Sequence, residues 1–560
     1  MTPFRAIPLV SALLVYAAAQ AQAQALPPGV KSALDNERIG LLDAGQLKLT
    51  TGKCADCASS PQSLWYFRDE VIAAPTSPQQ VAGVSPGLDR RADITAWAAT
   101  TPAQSLLYPT VSWLGSPMIM ASARIDHAAG TVTPHGGAPI AFALAPQLAT
   151  NRSYANAATM AYFARRPVRI RGASAEKNGK VQFVARTIWP ADYAIDGARL
   201  PLQPLTSSAD LAAFVRDRAL ASDGNLASRL VWERAPGAGR ALAGKPVLGL
   251  MLNGAQGDDD ESIGGHFAVA TGRFGARGEW ADWAANNFYN LDSVSEKGII
   301  AATLPMDNYL MDLNSGQQYY RPSYMLVAVL NKERTAIAYQ GGVQRTLNHF
   351  YRHDLLYGAA DNNCAGLSID VFRALGWNVP QRGPTDRLKA LGAYAYVAAK
   401  QGSLTKGRGI YDYLTEETTR LLPAVSFDAL GLDLLQLVGA MPAPARSLSP
   451  YEQQLKEDVD AIILVKIPQL PSSRVAGAAP AFSFDDYMSR VPADQDQWQI
   501  VPVAPRPFPV ALRDSATRPG AAPSLVPLPV AAIGMAGLFG GGALWRRRQK
   551  KSTAQRQAAL

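Results

Sequence analysis

Cysteine is almost missing from this chain: three thiols in 560 residues cannot form a disulfide framework, so a packed core must hold the fold. Charge is sparse as well. Asp, Glu, Lys and Arg make up 18% of the chain against 48% hydrophobic residues, which excludes an intrinsically disordered protein. Glycine (46) and proline (40) are too few for a collagen-like fibre, and no internal repeat is evident. At roughly 150 residues per domain, the length allows about two to four folded units.

The net charge of +9 is concentrated at the ends. Arg546, Arg547, Arg548, Lys550, Lys551 and Arg556, together with Arg5, carry seven of those charges. The body between is close to neutral, so nucleic acid is not an expected partner.

Both ends read as addresses. Residues 1–25 combine Arg5, the apolar run Ile7–Ala19 and Ala-x-Ala patterns ending at Ala25, the pattern of a cleavable signal peptide. The run is short of the ~20 residues that a span needs. At the other end, residues 501–529 hold eight prolines, so 501–525 is expected to be a semi-rigid linker. Residues 526–545 carry no charge and are expected to form a transmembrane helix, with the basic tail 546–560 on the cytoplasmic side. The body would then lie in the periplasm or outside the cell, attached to the inner membrane.

Val526-Pro527-Leu528-Pro529, the apolar span and the arginine cluster together resemble the VPLPA/PEP-CTERM type of sorting signal. That resemblance covers about 35 residues and implies processing by an exosortase-type membrane protease, with release of the body. A simple C-terminal anchor is the alternative.

Within the body an α+β fold is expected. Residues 26–245 read as a β-rich domain of short strands at Thr110–Ala121, Pro139–Ala145 and Pro167–Gly172. Asn178-Gly179 between two alternating runs signals a hairpin, and Ser208 or Asp210 is expected to cap one amphipathic helix over Leu211–Val215. Residues 246–400 read as a second unit, with strands at Val247–Leu252, Phe267–Phe274 and Ser323–Asn331 and a helix from Cys364 to Leu375. Residues 401–500 form a helical and mixed extension: a helix at Tyr411–Leu422, an apolar stretch at Leu430–Met441 and a strand at Ala461–Ile467.

Cys54 and Cys57 stand close together in a polar stretch, and in an oxidising compartment they are expected to form a local disulfide. That leaves Cys364 alone. Asn363 is a good N-cap, which puts Cys364 in the first turn of its helix, where unpaired N–H groups and the helix dipole favour a thiolate. The backbone N–H groups of Cys364 and Ala365 could hold an oxyanion. The alternative is a small core residue at a helix start.

A nucleophilic thiol needs a base. Of the five histidines, His266 leads a strand after Gly264-Gly265 and shares its face with Ala268 and Ala270, which leave room beside the ring. His127 and His135 carry no signal. His349 and His353 are four apart with no evident third ligand, so neither a metal nor any other cofactor is expected. Asp258-Asp259-Asp260-Glu261 lacks the glycine spacing of a calcium loop and is expected to be a solvated acidic loop. Trp280, Trp283, Phe288 and Tyr289 are either core or groove lining.

Gly-His on a strand and Asn-Asn-Cys at a helix start 98 residues later resemble the circularly permuted papain-like superfamily. With Leu355-Leu356-Tyr357 before Asn362-Asn363-Cys364, the segment is most similar to the Lnb-type N-terminal periplasmic domain family. NlpC-type peptidases and lecithin:retinol acyltransferase relatives share its catalytic logic. The resemblance covers roughly residues 245–380. It implies Cys364 as nucleophile and His266 as base on amide or ester bonds. A third polar residue should orient the imidazole, and Asn286, Asn287 and Asn290 are candidates, Asn290 foremost. The expectation is therefore a membrane-delivered thiol hydrolase or acyltransferase acting on a peptide, lipid or peptidoglycan of the cell envelope. A non-catalytic envelope scaffold that keeps the papain-like fold is the alternative.

Overall fold

The computed structural model describes residues 65–500, apart from 68–70, 76–83, 86, 102–104, 110, 115–117, 146–154, 178, 218–223, 290–300, 314, 352–354, 356, 359–361 and 385. The expected leader, Cys54 and Cys57, Asn290, His353, the linker, the span and the basic tail all lie outside the described residues. Among the described residues no helix is long and apolar enough to cross a membrane. The fold is mixed α+β.

A three-stranded antiparallel sheet comprises β1 (Trp65–Phe67), β2 (Val71–Pro75) and β3 (Val111–Leu114). A closed barrel follows, from β4 (Met118–Asp126), β5 (Thr131–Pro134), β6 (Ile140–Leu144), β7 (Val168–Lys177) and β8 (Lys180–Pro190). Its order is β4-β5-β6-β8-β7, with β6 parallel to β8 and β7 paired back to β4. Closure through one parallel pair leaves this barrel without a free sheet edge. β7 and β8 form the expected hairpin: Lys177 pairs with Lys180, and Gly179 between them takes φ +71°, the sign that a two-residue hairpin turn needs.

The central sheet has seven strands: β9 (Ala227–Glu233), β10 (Pro246–Asn253), β11 (His266–Arg273), β12 (Ala284–Asn287), β13 (Ala302–Pro305), β14 (Ser323–Leu330) and β15 (Val459–Ile467). Its order is β13-β12-β11-β10-β14-β15-β9, antiparallel throughout. Strands from 227–233 and from 459–467 therefore complete the sheet whose centre falls in 246–400.

Among the described residues, twelve helices accompany these sheets: α1 (Arg90–Thr100), α2 (Ala157–Ala164), α3 (Asp210–Arg216), α4 (Met306–Met311), α5 (Arg334–Tyr351), α6 (Cys364–Leu375), α7 (Arg387–Gln401), α8 (Leu404–Thr415), α9 (Thr418–Leu421), α10 (Pro423–Leu437), α11 (Pro450–Asp458) and α12 (Phe484–Arg490). The single helix expected at 411–422 is broken. Glu416 is extended, and the Thr418 N–H leaves the helix for the Arg382 carbonyl (2.7 Å). The apolar stretch after it is the buried α10, begun by Pro423 at a position where a helix needs no N–H.

The two faces of the central sheet separate by residue parity, because side chains alternate along a strand. Leu248, Leu250, Leu252, Phe267, Val269 and Leu326 pack under α5, α6 and α10. Val247, Met251, Ala268, Ala270, Met325 and Val327 pack toward the barrel and α4. Burial on both faces explains why these strands read as continuous apolar runs although the sheet is antiparallel. Two buried ion clusters clamp the layers. Asp307 at the start of α4 bonds Arg171 of the barrel. Asp370 of α6 takes Arg90 and Arg91 of α1 and Arg420 of α9.

Candidate active site

Two local devices place the thiol and the imidazole. The Asn363 side chain accepts from the Gly366 N–H (2.8 Å), starting α6 at Cys364, and Gly376 ends the helix in the left-handed region at φ 105°. On the sheet, Gly265 (φ +75°) turns the chain into β11. A Cβ at Gly265 would meet the Asn253 carbonyl at 2.5 Å and Pro480 at 2.7 Å, so only glycine fits this approach to His266.

His266 and Asn287 share the barrel-side face at neighbouring strand ends. The His266 Nε2–H donates to Asn287 Oδ1 at 2.7 Å, which leaves Nδ1 as the basic nitrogen. Asn286, one residue earlier, points to the other face and bonds Gln340 of α5 (2.9 Å) and the Val269 carbonyl (3.0 Å). Among the described residues, then, Asn287 is the side chain that orients the imidazole.

Cys364 reaches the first residues of the same strand. Its titration is influenced by the Phe267 N–H, the Tyr357 hydroxyl and the Ala365 N–H, which puts the thiol near the start of β11. The thiol belongs to the helix-side core layer, whereas the His266 ring stands on the barrel-side face, and no hydrogen bond joins the two. The Cys364 N–H donates to the Tyr357 hydroxyl oxygen at 3.2 Å. One of the two N–H groups expected to hold an oxyanion, that of Cys364, is thus engaged by a tyrosine hydroxyl. Tyr357, half-buried, stacks on half-buried Tyr289 with ring centroids 5.8 Å apart, and Tyr289 lies 6.5 Å from the His266 ring. Trp280, Trp283 and Phe288 are core, so Tyr289 alone of that aromatic set borders the site.

Electrostatics differ from the sequence expectation. Burial pushes the Cys364 thiol up, outweighing the helix start and the N–H contacts. Burial, and secondarily the Arg321 charge, hold His266 down to about 3 against the pull of Asn287. The resting pair is therefore a neutral thiol and a neutral imidazole rather than an ion pair.

Other candidates fall elsewhere. His349 Nε2 bonds buried Asp93 (3.1 Å), which also holds Arg345, tying α1 to α5. His127 and His135 are exposed at the barrel. Asp258 pairs with Arg474 and Asp259 caps a short helical turn, so the acidic loop fastens residues 474–482 to the sheet end. No group of three or more His, Cys, Asp or Glu able to hold a metal ion occurs among the described residues. Sequence reasoning did not reach Arg321 or the bond between Tyr357 and the Cys364 N–H. The only signal was Tyr357 itself, seven residues before the cysteine.

Comparison of the chain with protein-family models, with curated proteins and with solved structures found no match.

Proposed function

We propose that this chain is a thiol hydrolase or acyltransferase of the cell envelope, built on a circularly permuted papain-like unit. The observation that carries the reading is the His266–Asn287 bond at the start of a strand against which the Cys364 helix packs. His266 Nδ1 takes the thiol proton as sulfur attacks an amide or ester carbonyl. The same nitrogen returns the proton to the departing amine or alcohol, leaving a thioester on Cys364. Water or an acceptor amine or hydroxyl then resolves the thioester. Displacement of the Tyr357 hydroxyl frees the Cys364 N–H for the oxyanion, or the hydroxyl itself donates to it.

A leader at 1–25, a span at 526–545 and a processed or anchoring tail would deliver the body to the outer side of the inner membrane. Its substrates there are peptide, lipid or peptidoglycan acyl groups. The second reading, a non-catalytic scaffold, is favoured by the burial that keeps both Cys364 and His266 uncharged.

The test is turnover of stem-peptide muropeptides, acylated peptides and p-nitrophenyl esters by the full chain in detergent. Cys364→Ala is expected to abolish turnover with the melting temperature preserved, and Cys54→Ser to leave it unchanged. Equal loss in both folded variants would favour the scaffold.

A further inference from the structure

Five arginines are buried among the described residues: Arg171, Arg321, Arg345, Arg420 and Arg474. Four of them sit on a carboxylate, respectively Asp307, Asp93, Asp370 and Asp258. Arg321 does not. Its guanidinium holds the Gln317 side-chain oxygen through Nε (2.8 Å) and a second nitrogen, and the Gly254 carbonyl through another (3.2 Å). These acceptors and the Tyr320 ring, 5.2 Å from the guanidinium carbon, are all neutral, so no carboxylate balances the charge, and two of its five N–H groups are unassigned.

A buried cation without a counter-ion costs several kcal/mol, which is why the other four are paired. Its position connects it to the candidate site. Gly254 directly follows Asn253, the register partner of His266 across β10 and β11. Its charge is felt at His266, Tyr309 and Cys364.

We propose that Arg321 is the anion-recognition residue of the Cys364–His266 site, taking a carboxylate or phosphate monoester carried by the substrate close to the reacting bond. The planar guanidinium suits either anion. The inference rests on the thiol-hydrolase reading for its chemistry, but anion binding can be measured without turnover. A bound anion would also offset the Arg321 charge, the lesser influence after burial that suppresses His266 as a base.

The experiment has two arms on the full chain in detergent. The first reads thermal stabilisation by N-acetyl-alanyl-alanine, by its C-terminal amide and by glycerol 3-phosphate, in the wild type, Arg321→Gln and Arg321→Lys. Stabilisation of the wild type by the free acid or the phosphate but not by the amide, lost in Arg321→Gln, is the expected result. The acid and phosphate responses separate a peptide terminus from a phosphorylated headgroup as the source of the anion. Equal response to the acid, the phosphate and the amide, or none to any of them, overturns the proposal even if a variant fails to fold.

The second arm compares alkylation of Cys364 by iodoacetate and by iodoacetamide. Arg321→Gln is expected to lower the anionic-to-neutral rate ratio about tenfold, with Arg321→Lys retaining part of it. An unchanged ratio contradicts the proposal. A wild-type Cys364 inert to both reagents contradicts the hydrolase reading instead, and anion binding in the first arm then decides the role of Arg321.

Discussion

His266 Nε2 and Asn287 Oδ1 lie 2.7 Å apart at the ends of two adjacent strands, and that contact fixes which imidazole nitrogen can act as a base. An asparagine oxygen can only accept, so Nε2 carries the hydrogen and Nδ1 the lone pair. Asn287→Ala frees the ring to rotate and to change tautomer. Turnover is expected to fall on the order of 100-fold, with KM little changed and the melting temperature nearly preserved. Steady-state kinetics beside a thermal melt check this; a variant as active as the wild type would remove Asn287 from the account.

Burial gives His266 a second, measurable consequence. Its pKa falls from an ordinary 6.5 to about 3 on folding, so below pH 6.5 the unfolded chain binds a proton that the folded chain refuses. Stability from this residue is full above pH 6.5 and is lost as pH drops toward 3. At pH 4 the loss amounts to about 3 kcal/mol, and His266→Gln should remove that part of the slope. Urea unfolding of both proteins between pH 7 and pH 4 reads it directly.

Asp93 anchors α1 to α5 with no exposure, holding Arg345 and His349. Although burial opposes ionisation, the bonds from His349 and Arg345 hold this carboxyl well below the usual range. Asp93→Asn leaves the buried Arg345 without its counter-ion and is expected to cost about 3 kcal/mol in urea unfolding.

Gly265 makes a close backbone approach at the site. Gly265→Ala combines a positive φ with a Cβ 2.5 Å from the Asn253 carbonyl. A loss of at least about 2 kcal/mol and displacement of His266 are expected. An unaltered melting temperature would contradict the close approach.

Local signals in the sequence were sufficient for the helix Cys364–Leu375, where Asn363 and Gly376 act within a few residues, and for the Asn178-Gly179 hairpin. His266 at a strand start was legible for the same reason, since two glycines precede an apolar run. The orienting asparagine was not. Asn286 and Asn287 are chemically alike, and only the strand register sends one to Gln340 and the other to His266. Asn290, the foremost candidate from the sequence, lies outside the described residues.

Long-range pairing was equally hidden. Nothing local tells Ala227–Glu233 to join a strand more than 200 residues later, yet β9 pairs with β15 to close the sheet edge. The low Cys364 pKa expected at a helix start failed because that expectation weighed the dipole and not the burial supplied by distant segments.

The most direct test of the central claim is the rate of iodoacetamide alkylation at Cys364 across pH 6–9, in the full chain and in His266→Ala, with the labelled peptide identified by mass spectrometry. If His266 is the base for this thiol, the rate at pH 7 falls about tenfold or more in the variant, and the wild-type profile shows an inflection that the variant lacks. Identical rates and profiles in the two proteins would contradict a Cys364–His266 pair and leave a buried structural thiol.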